Sequence, residues 1–381
     1  MKQILIFSLF FSILTYSQKI QILDAETQKP VSGARIILAD QLVYTNEDGY
    51  APLEAAAKGF EVSAAGYKTF KANSYQDIIS LKPAVIDIEE VKIVDVDLKE
   101  IFEDIQKNYH KRYYDQPSLY DVTYKAKSFS NNKLYFLVIA DAKLWSKSNA
   151  YNFRDGFRKK YDDILQMQLN NVKYLKSNSK GVFNAKTNEF SHAEMGDYFF
   201  SFEIYRLLLT MNTKNTKFSG RLLSDDGEEQ LISMRIKTEN GINIEGEMHY
   251  NKADKVITYF EVLHQQTGLA PYKRKNTEGK EYEFQFGDVQ LIYDFYKKDG
   301  KYLPALKKTV SDKFFIRYDG KEEERKSTTE TIYHTFSKSD KKGLEPRIDF
   351  TKSIWENIPV KEDKESGILL SREEQAFLNE N

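Results

Sequence analysis

Between residues 118 and 318 one pattern recurs on either side of a mostly irregular or helical region. Long stretches alternate apolar and polar residues, and short turns rich in Asp, Asn and Gly separate them. "SLYDVTYKAKSF" and "LYFLVIADAKLW" flank "NNK". "KFSGRLLS" and "EQLISMRIKT" flank "DDGE", and "INIEGEMHY" and "KVITYFEVLHQ" flank "NKAD". "KEYEFQFGDVQLIYDFYKKDGKYLPALKKTVSDKFFIRY" continues the series through "KKDGK". A period of two places every second side chain on one face, so each stretch is a strand with one face on a core. The turn residues tolerate positive φ, which suits hairpins. The pattern therefore predicts a large antiparallel sheet. With 25 Tyr and 25 Phe, the chain is also rich in the aromatics that half-buried pleated surfaces favour.

A sheet with one apolar face needs a cover. "DLKEIFEDIQKNYH" sets Leu98, Ile101, Phe102, Ile105 and Tyr109 on one helical stripe, with Asp97 and Glu100 forming a capping-box-like start. "YDDILQMQLNNV" and "DYFFSFEIYRLLLTM" read as further helices. In the latter, Phe199, Phe202, Leu208 and Leu209 fall on or near one face, and Phe200, Ile204 and Leu207 lie on others. A helix apolar around most of its girth is either core or the lining of an apolar ligand cavity. At the C-terminal end, Ser371 with Glu374 reads as a helix start before Phe377 and Leu378, and Trp355, Ile358 and Val360 read as docking an edge.

Residues 18–83 have a different texture. "KIQILDA", "ARIILAD", "QLVYT", "GYAPLEA", "FEVSAAGY" and "DIISLKP" are short strands between Gly, Pro, Asn and Asp, which predicts a small β-sandwich. "TNEDGY" lacks the later oxygen ligands of a calcium loop. Between "QLVYT" and "YAPLEA" it reads as a hairpin turn, with Gly49 at positive φ. Asp24, Thr27, Pro30, Gly33, Ala34, Thr45, Asp48, Gly49, Gly66 and Tyr67 together match the pattern of the carboxypeptidase regulatory-like domain. This region resembles that family, while Gln21 and Ala51 depart from its usual Gly and aromatic. The resemblance implies a transthyretin-like sandwich, non-catalytic, set before another domain in an exported protein of the Bacteroidetes type. In receptors of that type a strand of the form L-x-E-V-x-V follows, and "IDIEEVKIVD" is similar. A receptor barrel would need more chain than remains and less charged strands. The hairpins from 97 to 340 more weakly resemble lipoprotein-carrier-like half-barrels, in which a curved sheet wraps helices.

The opening "MKQILIFSLFFSILTYSQ" has a positive start, a short apolar run and small residues before Gln18, as a signal peptide does. There is no cysteine, so lipoprotein anchoring, disulfides and thiolate chemistry are excluded. The net charge of -1 gives no electrostatic reason for nucleic acid as a partner. No H-E-x-x-H, G-x-S-x-G, phosphate loop or dinucleotide fingerprint occurs. His249 and His264 fall on neighbouring strands and share a proton or metal only if both face one way; surface or core histidines are the plainer reading. Arg154, Arg158, Lys159 and Lys160 in "FRDGFRKKY" form a basic patch suited to anionic envelope surfaces, or a solvated loop.

The sequence thus predicts a mainly β protein with some α. It divides into a signal peptide (1–17), a transthyretin-like β-sandwich (18–83), a connector (84–96), a curved antiparallel sheet packed on helices (97–351) and a tail (352–381). The expected role is a non-catalytic, exported envelope protein, periplasmic or outer-membrane-associated, without cofactors. It would bind an apolar or lipid-like ligand or a protein partner, have no nucleic-acid partner, and carry no transmembrane segment once mature. A purely structural or interaction module associated with outer-membrane transport or a surface assembly is the second reading, and a cryptic hydrolase the third.

Overall fold

The computed structural model describes residues 18–38, 42–53, 57, 59–83, 94–151, 161–187, 198–225, 227–340, 343–349 and 369–380. The signal peptide, most of the connector, His192, the patch Arg154, Arg158, Lys159 and Lys160, and Trp355, Ile358 and Val360 lie outside them. The protein is mainly β with some α, as its alternation demands. Among the described residues no helix is long and apolar enough to cross a membrane. The chain forms two compact units, one of residues up to 83 with 369–376, the other of 94–349 with 377–380.

The first unit is a sandwich of two small sheets. β1 (Gln18–Asp24) lies between β4 (Tyr50–Leu53), antiparallel to it, and β7 (Ile78–Leu81), parallel to it. The other sheet runs β3 (Leu42–Tyr44), β2 (Arg35–Ile37), β5 (Phe60–Ser63), β6 (Phe70–Ala72). Alternate residues of both close one core, with Ile20, Ile22, Ile36, Phe60, Val62, Ile79 and Leu81 at its centre.

"TNEDGY" is not a hairpin. β3 and β4 belong to different sheets, so the segment carries the chain from one to the other. Local side-chain bonding makes the crossover. The buried Thr45 hydroxyl donates to Val31 O (2.7 Å) and accepts from Ala34 N–H (2.8 Å). Asn46 Oδ1 accepts from the amides of Asp48 and Tyr50. Gly49 has φ of 75°, and a Cβ there would lie 2.6 Å from Ile22 O and 3.0 Å from Pro30 Cβ. Gly49 thus meets both a left-handed backbone and a close approach of β1. The same segment holds the C-terminal helix start. Asn46 Nδ2 donates to Leu370 O (3.2 Å), and Arg372 N–H donates to Asp48 Oδ2 (2.8 Å). The helix start expected at Ser371 and Glu374 takes the form of a capping box: Ser371 N–H donates to Glu374 Oε2 (2.9 Å), and Glu374 N–H to Ser371 Oγ (3.4 Å).

Asp24 joins distant parts of the unit. Its carboxylate accepts from the amides of Glu26 and Thr27 and from the Tyr67 hydroxyl (2.8 Å). The Thr27 amide above all, then Tyr67, holds its pKa below the usual carboxylate range.

The second unit is built on a 14-stranded sheet. Its strands are β8 (Asp95–Val96), β9 (Ser118–Ser130), β10 (Lys133–Ser146), β11 (Leu165–Ser177), β12 (Lys217–Asp225), β13 (Glu229–Lys237), β14 (Asn243–Asn251), β15 (Val256–Gln265), β16 (Tyr272–Lys275), β17 (Glu281–Gln285), β18 (Asp288–Lys298), β19 (Lys301–Tyr318), β20 (Lys321–Tyr333) and β21 (Ser337–Lys338). The main path runs β11-β10-β9-β20-β19-β18-β15-β14-β13-β12-β8, antiparallel throughout. β11 was expected as a helix. Its apolar residues instead alternate along β10, with Leu165 opposite Ser146 and Met167 opposite Leu144.

Two helices separate strands that lie far apart in the sheet. α1 (Leu98–Arg112) follows β8 at one edge and precedes β9 near the other. α2 (Phe200–Met211) lies between β11 and β12 in the chain. Asp97 caps α1 by accepting from Glu100 N–H (3.0 Å). Leu98, Phe102, Ile105 and Tyr109 are buried with Phe200, Ile204, Leu207, Leu208 and Met211 of α2 in one cluster. Inward residues of β13 to β19, such as Ile232, Met248, Phe260, Leu291 and Tyr302, complete it.

The crossover predicts a contrast between two glycines. Gly33 also has positive φ (70°), but nothing lies within 4 Å of a Cβ built there. Gly33→Ala should cost only the left-handed backbone penalty, about 1–2 kcal/mol. Gly49→Ala should cost about 3 kcal/mol or more, because β1 or Pro30 must also shift. Hydrogen exchange of the β1 and β4 amides in the full chain reads this unit directly.

Candidate functional site

The helix read from sequence as either core or the lining of an apolar cavity is packed into the core. Phe200, Phe202, Ile204, Leu207, Leu208 and Met211 are buried. Phe200 meets Phe260, Tyr293 and Phe295 with ring centroids 5.0–5.5 Å apart. Of the four residues expected on one face, Leu208 joins this cluster, while Phe199 and Phe202 turn to a second one and pack on Tyr151. Phe199 is the N-cap, outside the helix proper. Leu209 points away and is 52% exposed, because positions 200, 204, 207, 208 and 211 form the stripe that meets the sheet. The space left beside Tyr113, Phe200 and Tyr302 is about 30 Å3, room for about one water. The Tyr113 hydroxyl bonds both backbone groups of Ile257 and closes that end.

One charge sits inside this apolar helix. Glu203 is fully buried, yet its Oε1 lies 2.8 Å from His264 Nε2, and its Oε2 takes the Arg206 guanidinium (Nε at 2.9 Å). Burial pushes the Glu203 carboxyl up, but His264 and Arg206 outweigh it and hold the pKa at about 2. This cluster ties α2 to β15. The two histidines read from sequence as neighbours do not meet. β14 and β15 do pair, but His249 lies opposite Tyr259 and His264 opposite Ile244, toward opposite ends of the ladder. His249 Nδ1 is 3.1 Å from Glu229 Oε2, and Thr258 also bonds Glu229. Among the described residues no group of three His, Asp or Glu forms a metal-ligand cluster.

The opposite face of the same strands carries a groove of about 490 Å3. Because Ile232, Met234 and Ile236 face the helices, the alternating Ser233 and Arg235 face outward. Register arranges the lining in rows. Arg221, Ser233, Glu247 and Glu261 lie opposite one another in successive strands; so do Ser219, Arg235, Glu245 and Leu263. Gly246 lies between the rows, where a Cβ would run into the Glu261 carbonyl, so β14 and β15 approach there as only glycine permits. Arg235 Nε pairs with Glu245 Oε1 at 2.8 Å. Glu261 accepts from the Tyr259 hydroxyl (2.7 Å) and from Gln290. Burial, and then the Glu261 charge, push the Tyr259 hydroxyl pKa well up, so it remains a donor. Sequence reasoning missed this groove. The alternation was visible, but the register that lines the charges up was not.

The Glu203 cluster yields a pH prediction. Its pKa falls from 4.5 to about 2 on folding, so its contribution is full above pH 4.5 and is lost as pH drops toward 2. Glu203→Gln should cost about 3 kcal/mol at pH 7, and clearly less at pH 3, in urea unfolding followed by an α2 probe. A cost independent of pH would contradict a charged Glu203. The chain matches no protein-family model, no curated protein and no solved structure.

Proposed function

We propose that this chain is a non-catalytic exported protein of the cell envelope, periplasmic or outer-membrane-associated. It recognises its ligand or partner on the outer face of the large sheet rather than inside it. The observation that carries this reading is the contrast between the two faces. Among the described residues the inner face is packed by α1 and α2, with a space of about 30 Å3 beside Tyr113, Phe200 and Tyr302, whereas the outer face carries about 490 Å3 lined by charge. A lipid-like ligand needs an apolar cavity of several hundred Å3. The outer groove has that volume, but arginines and glutamates line it.

The N-terminal unit supports the non-catalytic part. Asp24, Thr45 and Tyr67, three of the polar residues of its motif, all bond within the sandwich. The resemblance to the regulatory-like domain and the signal-like N-terminus support the exported setting. In the larger unit, the buried Glu203 and the Glu229–His249 pair are held by neighbouring side chains, with no nucleophile–base arrangement around them among the described contacts.

Native mass spectrometry of protein purified from its own host tests the reading. The expected result is the bare chain mass, and a stoichiometric lipid adduct would overturn it. The mutational counterpart is Leu207→Ala. In a packed interior it should cost about 2–5 kcal/mol in urea unfolding. A position lining an open cavity would tolerate it with a much smaller loss.

A further inference from the structure

We infer that the outer-face groove binds a dipolar ligand, with an ammonium or guanidinium group at one end and a carboxylate at the other. This rests on the outer-face reading above. The volume, about 490 Å3, lies within the range of small-molecule sites, roughly 300–1,000 Å3. Its charges are sorted by strand. The arginines come from β12 and β13, and the glutamates from β14 and β15.

At the boundary Arg235 and Glu245 neutralise each other. The side chains of Arg221 and Glu247 make no hydrogen bond or ion pair among the described residues; Asp95 of β8 stands opposite Arg221 but outside the groove lining. Arg221 and Glu247 lie in one row with Ser233 between them. Two inter-strand steps separate their backbones, about 9.5 Å, and the short Ser233 side chain leaves the space open.

Glu247 also stands directly opposite Glu261. Like charges in that position repel, and a cation between them relieves the repulsion. Tyr259 and Gln290 hold the Glu261 carboxylate in place, so that end of the groove is fixed before any ligand arrives. A simple cation would leave Arg221 unsatisfied, and a simple anion would meet three glutamates. A dipole satisfies both ends, and Leu263 on β15 adds apolar surface beside the glutamate end. A basic amino acid has this form, since a lysine ammonium stands four methylenes from its backbone. Free lysine and a peptide ending in lysine present the same chemistry.

Isothermal titration of the full chain tests this with Gly-Gly-Lys, its C-terminal amide, Gly-Gly-norleucine and free L-lysine. Saturable binding of Gly-Gly-Lys is expected. The amide and the norleucine peptide should each bind about tenfold or more weakly, the cost of one charge-assisted hydrogen bond. Arg221→Ala and Glu247→Gln should weaken Gly-Gly-Lys by the same factor. Lys217→Ala, on the same strand but outside the groove lining, should not. Both groove residues are exposed, so circular dichroism should show unchanged folding. Equal affinity for free lysine and the tripeptide assigns the site to a free amino acid, and tighter tripeptide binding assigns it to a peptide end. Either supports the proposal. Absence of saturable binding, or equal affinity for all the probes, overturns it. An unsaturable titration with a bare chain mass in native mass spectrometry overturns only this ligand. A lipid adduct overturns the outer-face reading itself.

Discussion

The architecture of the larger unit depends on covering one apolar sheet face. Its strands bury Ile232, Met248, Phe260 and Leu291 on that face, and exposing them would forfeit about 1.5–3 kcal/mol each. Two short helices supply the cover. The six large apolar residues buried on α2 contribute on the order of 10 kcal/mol before the entropic cost of ordering them. That is enough to carry one buried carboxylate, provided Glu203 keeps its partners Arg206 and His264. The charge also sets the placement of α2, since Glu203 reaches His264 only where the helix lies beside β15.

Once the helices fill one face, chemistry is left to the other. Outward positions on β12 to β15 bury little and can hold charge. The same alternation that aims Met234 and Ile244 at the core aims Arg235 and Glu245 at solvent. The groove is therefore a by-product of the packing as much as a site, and Gly246 gives it its depth by letting two strands approach. The smaller unit makes the same kind of trade at shorter range. Its polar motif residues tie turns to strands, and Asn46 and Asp48 of the inter-sheet crossover also receive the start of the C-terminal helix.

Much of this was legible in the sequence where the signal is local. The long strands, the "NNK" and "KKDGK" turns, the stripe of α1 with its Asp97 cap, and the helix start at Ser371 and Glu374 each depend on neighbours a few residues away. Failures came where distant partners decide. "YDDILQMQLNNV" fits a helical stripe nearly as well as a strand, and pairing with β10 makes it a strand. "TNEDGY" looks like a hairpin until Thr45 and Gly49 are seen to join different sheets. The outer groove needs the register of four strands, which no single strand encodes. Glu203 did leave a trace, a lone acid among Phe, Ile and Leu, but its partner His264 lies 61 residues away.

The central claim is that the inner face is a solid core and not a ligand cavity behind a helical lid. Native-state hydrogen exchange of the α2 amides tests it most directly. A core helix exchanges only through global unfolding of its unit, so the amides of Leu207, Leu208 and Met211 should match the most protected strands, β14 and β15. Exchange of α2 at a markedly lower free energy than those strands, with a matching dependence on denaturant, would mean that the helix opens separately, and would contradict the account.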